Sequence, residues 1–184
     1  MSFKLRLAAS HLRRGGIIAY PTEAVYGLGC NPQDRRAVLH LLSLKGRPVS
    51  KGLILIAAKF SQLMPYIEEP TPRQKAMLEQ SWPGPVTWVI PARSSTPDWL
   101  RGAHSTLAVR VTAHPQAAAL CEAFGGAVVS TSANPAGLPP ARSPLAVRQY
   151  FGERLEMIVH GKTGPSRNPT EIRRLTDGRV LRPA

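Results

Sequence analysis

The chain has 184 residues, 43% of them hydrophobic, and its 24 Lys and Arg outweigh 11 Asp and Glu for a net charge of +13. That length and content suit one domain over 1–184 with a real core, and exclude both a disordered tail and a membrane span, since no long apolar run occurs. The cationic excess, mostly arginine, turns attention from acidic-protein functions to polyanionic partners: nucleic acid, nucleotides or an anionic surface.

The first 22 residues carry no acid, and Lys4, Arg6, Arg13 and Arg14 imitate a transit peptide. Leu5, Leu7, Ala8 and Leu12 nevertheless recur at roughly helical spacing, and Gly15-Gly16 leads straight into Ile17-Ile18-Ala19-Tyr20. The reading is a first helix over 5–14 and a strand over 17–20, with no targeting signal. A loop is expected over 21–31. Asn31 before Pro32 reads as an N-cap with proline at the first helical position, opening a helix towards Leu44. The same punctuation recurs at Thr71-Pro72, His114-Pro115 and Ser143-Pro144, ahead of apolar-periodic stretches ending near Ser81, Phe124 and Phe151. Short apolar runs with strand character lie at 53–57, 86–90, 106–111, 127–129 and 157–160, with 180–182 as a last one. Strands interleaved with helices make this an α/β chain, with a mixed sheet and flanking helices. No repeat or linker is visible. Cys30 and Cys121 lack metal-ligand spacing and sit among small or apolar residues, so both are expected as buried free thiols in a reducing, cytoplasmic setting.

Four stretches carry chemistry. In Lys45-Gly46-Arg47-Pro48-Val49-Ser50-Lys51 three cations fall within seven residues, and Gly46 and Pro48 disfavour helix and strand alike. Such a loop is either a solvated basic turn or a cradle for phosphate oxygens. In the 20–29 stretch, Thr22 offers a hydroxyl, Glu23 a carboxylate and Tyr26 an amphipathic ring beside permissive glycines, or else forms a turn with a core tyrosine. Alternation over 106–111 places Leu107, Val109 and Val111 on one face and Thr106, Ala108 and Arg110 on the other. An arginine there either meets an anion or acidic partner, or snorkels outwards. Ser130-Thr131-Ser132-Ala133-Asn134, directly after an apolar strand, offers hydroxyls, an amide and backbone N–H groups in one turn. His114 reads as a helix-start residue, and no histidine or acid is spaced to form a catalytic serine triad or a metal site. Two motifs fail: Gly161-Lys162-Thr163 has Glu156 where a P-loop needs glycine, and Gly27-Leu28-Gly29 has Pro32 where a dinucleotide fingerprint needs its last one.

Together these stretches resemble the YrdC/TsaC family over about residues 15–182. The resemblance rests on Pro-Thr-Glu-Ala-Val-Tyr-Gly-Leu at 21–28, Lys-Gly-Arg-Pro at 45–48 and Trp-Pro-Gly-Pro-Val-Thr at 82–87. Leu-Ala-Val-Arg-Val-Thr-Ala-His-Pro at 107–115 and Ser-Thr-Ser-Ala-Asn at 130–134 complete it. It implies a twisted α/β domain with a basic concave groove, and threonylcarbamoyl-AMP synthesis from L-threonine, bicarbonate or CO2, and ATP with Mg2+. Other proteins would then transfer the threonylcarbamoyl group to tRNA. The resemblance implies Lys45 and Arg47 as catalytic residues, and Lys45, Arg47, Lys51, Ser132, Asn134, Thr106 and Arg182 around ATP. It implies Thr22, Arg110, Ser130 and Thr170 around threonine, and names no metal ligand. Where many relatives carry a histidine after the basic loop, this chain reads Leu53-Ile54-Leu55-Ile56. A contrasting reading, from charge alone, is a non-catalytic module binding tRNA or double-stranded RNA through its backbone; aromatic stacking signatures are absent.

Overall fold

The computed structural model describes residues 2–166 and 168–184. In chain order the elements are α1 (Phe3–Arg13), β1 (Ile18–Pro21), β2 (Tyr26–Gly29), α2 (Arg35–Lys45), β3 (Ile54–Ala57), α3 (Pro72–Glu79), β4 (Val86–Pro91) and α4 (Asp98–Arg101). They continue with β5 (Thr106–Val111), α5 (Pro115–Phe124), β6 (Val128–Ser132), α6 (Pro144–Phe151), β7 (Met157–Ile158), β8 (Glu171–Arg174) and β9 (Val180–Arg182). The nine strands form one sheet in the order β7-β1-β2-β6-β3-β5-β4-β8-β9. It is mixed: β1 and β7, β3 and β5, and β4 and β8 run parallel, and the other neighbours antiparallel. The expected fold class holds.

Helix starts follow the proline punctuation with one exception. Thr71 accepts from the Gln74 N–H while the Gln74 side chain returns to the Thr71 backbone, a reciprocal cap ahead of Pro72. His114 and Ser143 likewise cap α5 and α6 through their side chains. The expected cap at Asn31 is displaced. Asn31 Oδ1 accepts from the Gln33 N–H and its carbonyl from the Asp34 N–H, closing a turn. Asp34 then caps α2, accepting from the amides of Arg36 and Ala37.

The loop expected over 21–31 contains a strand. After a turn at 22–25 the chain reverses, and β2 pairs with β1 from Pro21 opposite Tyr26 to Ile18 opposite Gly29. Glycine is required in it, because a Cβ at Gly29 would lie 2.7 Å from the Tyr20 ring and 2.8 Å from the Val129 carbonyl oxygen. A second unforeseen strand is β8, whose charged sequence Glu171-Ile172-Arg173-Arg174 shows no apolar run.

Each face of the sheet carries its own core. One face packs Ala19, Leu28, Leu55, Val109 and Val129 against α2, α3, α4 and α6. The other packs Ile18, Tyr20, Ile56 and Val128 against α1 and α5, as the period-two alternation of the strands requires. Helix α1 buries Leu5, Ala8, Ala9 and Leu12, whereas Leu7, expected on its apolar stripe, is 40% exposed. Both cysteines are buried free thiols whose pKa values burial pushes up. Among the described residues no helix is long and apolar enough to cross a membrane.

Candidate active site

Helices α1 and α5 cover only part of their face. Beyond Ile56 and Val128 the strands continue with Ile54, Ala108, Arg110, Ser130 and Ser132, and these line two adjoining cavities. The first, of about 190 Å³, is walled by Thr22, Arg47, Arg110, Ser130, Ser132, Thr170 and Arg182. The second, of about 360 Å³, shares Arg47, Leu53, Ile54 and Arg182 with it. Lys51 and Thr106 join it above an apolar floor of Val89, Ala108 and Ile172. Nine of the eleven residues named from sequence therefore line one continuous groove, and Lys45 and Asn134 line neither cavity.

Arg110 is only 4% exposed. Its Nη1 donates to Thr87 Oγ1 at 3.2 Å and Thr170 Oγ1 at 2.9 Å, and its Nη2 to Glu23 Oε2 at 3.1 Å. Thr112 Oγ1 donates to the other oxygen of Glu23 at 2.5 Å. The acidic partner allowed for this arginine from sequence is thus Glu23. Thr87 and Thr112 were missed, although Thr112 stands two residues after Arg110 and so shares its face. A hydroxyl in a strand reads as an ordinary β-branched residue until its partner is known.

Lys45 is not in a loop. It is the last residue of α2, 5% exposed, and Gly46 ends the helix at φ 60°. Lys45 turns inwards: its Nζ donates to Ser132 O at 2.5 Å and Asn134 O at 2.7 Å. Ser130–Ser132, expected in a turn after the strand, are instead the end of β6, and two of the ammonium's three N–H groups pin that strand end and Asn134 to α2, leaving one. Burial, and then the charge of Arg47, lowers the Lys45 pKa to about 8. Arg47 Nη2 donates to the Gly52 carbonyl at 2.9 Å, holding its guanidinium along the groove. Asn134 Nδ2 donates to Pro135 O and Leu138 O.

Three buried side-chain polar atoms lack a partner among the described residues: Arg47 Nε, Arg110 Nε and Asn134 Oδ1. All three belong to residues singled out from sequence. Buried polar groups are normally satisfied, so two donors left over beside a groove suit anions.

Of the described residues just before β8, Pro169 and Thr170 line the first cavity, and those at 161–164 are tied to the β1–β2 hairpin and to α5. Tyr26 Oη donates to Gly161 O at 2.6 Å and accepts from Gly161 N at 3.0 Å. His114 Nδ1 accepts from Ala117 N, so Nε2 carries the proton and donates to Lys162 O at 3.1 Å. Gly164 N donates to Thr22 O at 2.9 Å, and Thr170 then reaches Arg110. A Cβ at Gly164 would lie 2.5 Å from the Glu23 carbonyl oxygen and 3.0 Å from its Cα, atoms that cannot give way alone. Gly164→Ala is expected to cost about 1–3 kcal/mol in chemical denaturation and to loosen the Thr170 contact.

Two arginines with unspent donors, a ring of hydroxyls and an adjoining apolar slot make this an α/β protein with a groove suited to anions. A family model, Sua5_yciO_yrdC (telomere recombination), matches residues 10–184. The chain belongs to that family. It is 54% identical over 181 residues to a threonylcarbamoyl-AMP synthase of Cellvibrio japonicus, covering 98% of this chain and 96% of the relative. A protein of the same name from Halorhodospira halophila is 56% identical over 181 residues, at 98% and 94% coverage. The crystal structure of P. abyssi Sua5 complexed with L-threonine matches with a TM-score of 0.92 at 35% identity, over 98% of this chain and 54% of that one. This chain therefore spans about half the length of that protein.

Proposed function

We propose that this chain synthesises L-threonylcarbamoyl-AMP from L-threonine, bicarbonate or CO2, and ATP, releasing pyrophosphate, for the threonylcarbamoyladenosine modification of tRNA. The observation that carries the reading is Arg110, buried at the groove with an unspent Nε, in a chain more than half identical to proteins named for this activity.

The chemistry asks for little proton transfer by the protein. Threonine's amine adds to CO2, losing a proton, to give a carbamate. A carbamate oxygen then attacks the α-phosphorus of ATP, and the bond to pyrophosphate breaks. Both reactants are anions, so catalysis is positioning and charge neutralisation. The threonine carboxylate pairs with Arg110, with Thr22, Ser130 and Thr170 around it. The phosphates lie against Arg47, Lys51, Ser132 and the remaining N–H of Lys45, with Asn134 behind them. The adenosine takes the apolar slot beside Thr106 and Arg182.

Among the described residues no three His, Cys, Asp or Glu side chains gather as a metal set. Glu23, the acid that meets Arg110, spends both oxygens on Arg110 and Thr112. These donors do not fit a protein-held Mg2+, so the ion is assigned only to ATP, as part of the substrate. The cytoplasm, which holds tRNA and ATP, is the proposed location, with threonylcarbamoyl-transfer proteins and tRNA as downstream partners.

The test is pyrophosphate release with each substrate left out in turn. Release is expected only when threonine, bicarbonate and ATP are all present. Release from ATP alone, or none from the complete mixture, overturns the reading.

A further inference from the structure

We propose that Glu23 is a positioning residue for this reaction: it fixes the Arg110 guanidinium so that a single edge remains for the substrate carboxylate. The inference rests on the activity proposed above and concerns a residue to which the family resemblance assigned no role.

Glu23 stands on the turn between β1 and β2, is 8% exposed, and belongs to no apolar cluster. A buried carboxylate is retained only where its oxygens are met, and here each has one partner. Arg110 Nη2 meets Oε2, and Thr112 Oγ1 meets Oε1. Thr112 Oγ1 in turn accepts from the His114 N–H at 3.2 Å, so its own proton is directed at Glu23. The carboxylate is therefore held between two side chains of one strand face, with a helix start behind them.

The consequence falls on Arg110. A guanidinium has five N–H groups. Thr87 and Thr170 take both on Nη1, and Glu23 takes one on Nη2. What remains is the Nε–H, which has no partner among the described residues, and the second Nη2–H. Nε and Nη2 share one side of the guanidinium plane, so the unspent pair is a planar fork of the kind that grips a carboxylate through two parallel hydrogen bonds. Without Glu23 the guanidinium would offer a further donor at Nη2 and would be held at its Nη1 end alone, by Thr87 and Thr170. Threonine would then bind in several poses, few of which bring its carbamate to the α-phosphorus. Glu23 acts through Arg110 and need not touch the substrate itself.

The experiment compares Glu23→Ala and Glu23→Gln with the wild-type chain, by steady-state kinetics for each substrate and by calorimetric titration with L-threonine alone. Glu23→Ala is expected to raise the threonine KM and dissociation constant tenfold or more while the ATP KM moves less than twofold. Glu23→Gln, which keeps an acceptor for Arg110, is expected to recover most of that loss. A purely structural role would shift both KM values together with the unfolding midpoint. Should Glu23→Ala fail to fold, Thr112→Val removes the hydrogen bond that steers Glu23 and is expected to raise the threonine KM about threefold. A threonine KM unchanged in the folded variant overturns the proposal alone. A wild-type chain that neither binds nor turns over threonine overturns the activity, and this inference with it.

Discussion

Arg110→Ala is expected to lower threonine-dependent turnover by roughly 10²–10³-fold, because a buried charge-assisted anchor is lost. It also destabilises the fold by about 3–5 kcal/mol, since Glu23 is left as an unpaired buried carboxylate. The two effects separate in the double variant Glu23→Gln with Arg110→Met. There the stability returns, because no charge is stranded, and the activity does not. Denaturation midpoints read one effect and pyrophosphate release the other. A double variant with wild-type turnover would remove Arg110 from the site.

Lys45→Met is the second large effect. Methionine fills the space of the aliphatic stem but leaves the Asn134 carbonyl unpaired, at about 1–3 kcal/mol, while Ser132 O keeps the Asn134 N–H; the loss is partly offset by no longer burying a charge. The segment just after β6 loosens and the phosphates lose a cation, so turnover is expected to fall by roughly 10²–10³-fold. The pH dependence gives an independent check. Burial first, then Arg47, brings the folded-state pKa from 10.5 to about 8. Between those values an unfolded lysine keeps its proton and the folded one has lost it, so the unfolded chain binds more protons and stability rises with pH. Activity runs the other way, declining above about pH 8 as the charge facing the phosphates disappears. In Lys45→Met the rise in stability over that window is expected to vanish from denaturation curves taken between pH 8 and 10.5.

What the sequence showed, and what it hid, follows from how local each signal is. Thr71-Pro72, His114-Pro115 and Ser143-Pro144 marked their helices because a capping side chain and a proline act within one turn. Asn31-Pro32 had the same form and failed, since Asn31 spends its side chain on Gln33 and leaves the cap to Asp34. Strands β2 and β8 were invisible for the opposite reason. Gly27 and Gly29 are poor strand formers kept by the close approach of Tyr20 and β6, and Arg173 and Arg174 have no apolar face to reveal. In the site, alternation placed Arg110 on the correct face. Its partners Glu23, Thr87 and Thr170 come from three distant segments whose meeting no spacing records. Lys45 was legible as a cation of interest but not as a buried helix terminus, because the carbonyls at and just after the end of β6 decide where its ammonium goes.

The face of the sheet that carries α1 and α5 is left without a helix over Ala108, Val89 and Ile172. In the proposed reaction the adenine ring occupies the place a side-chain layer fills elsewhere, so the nucleotide is for a moment part of the protein's interior. Each catalytic cycle then wets and dries the same stretch of strand, and the bound nucleotide adds to the stability of the folded chain.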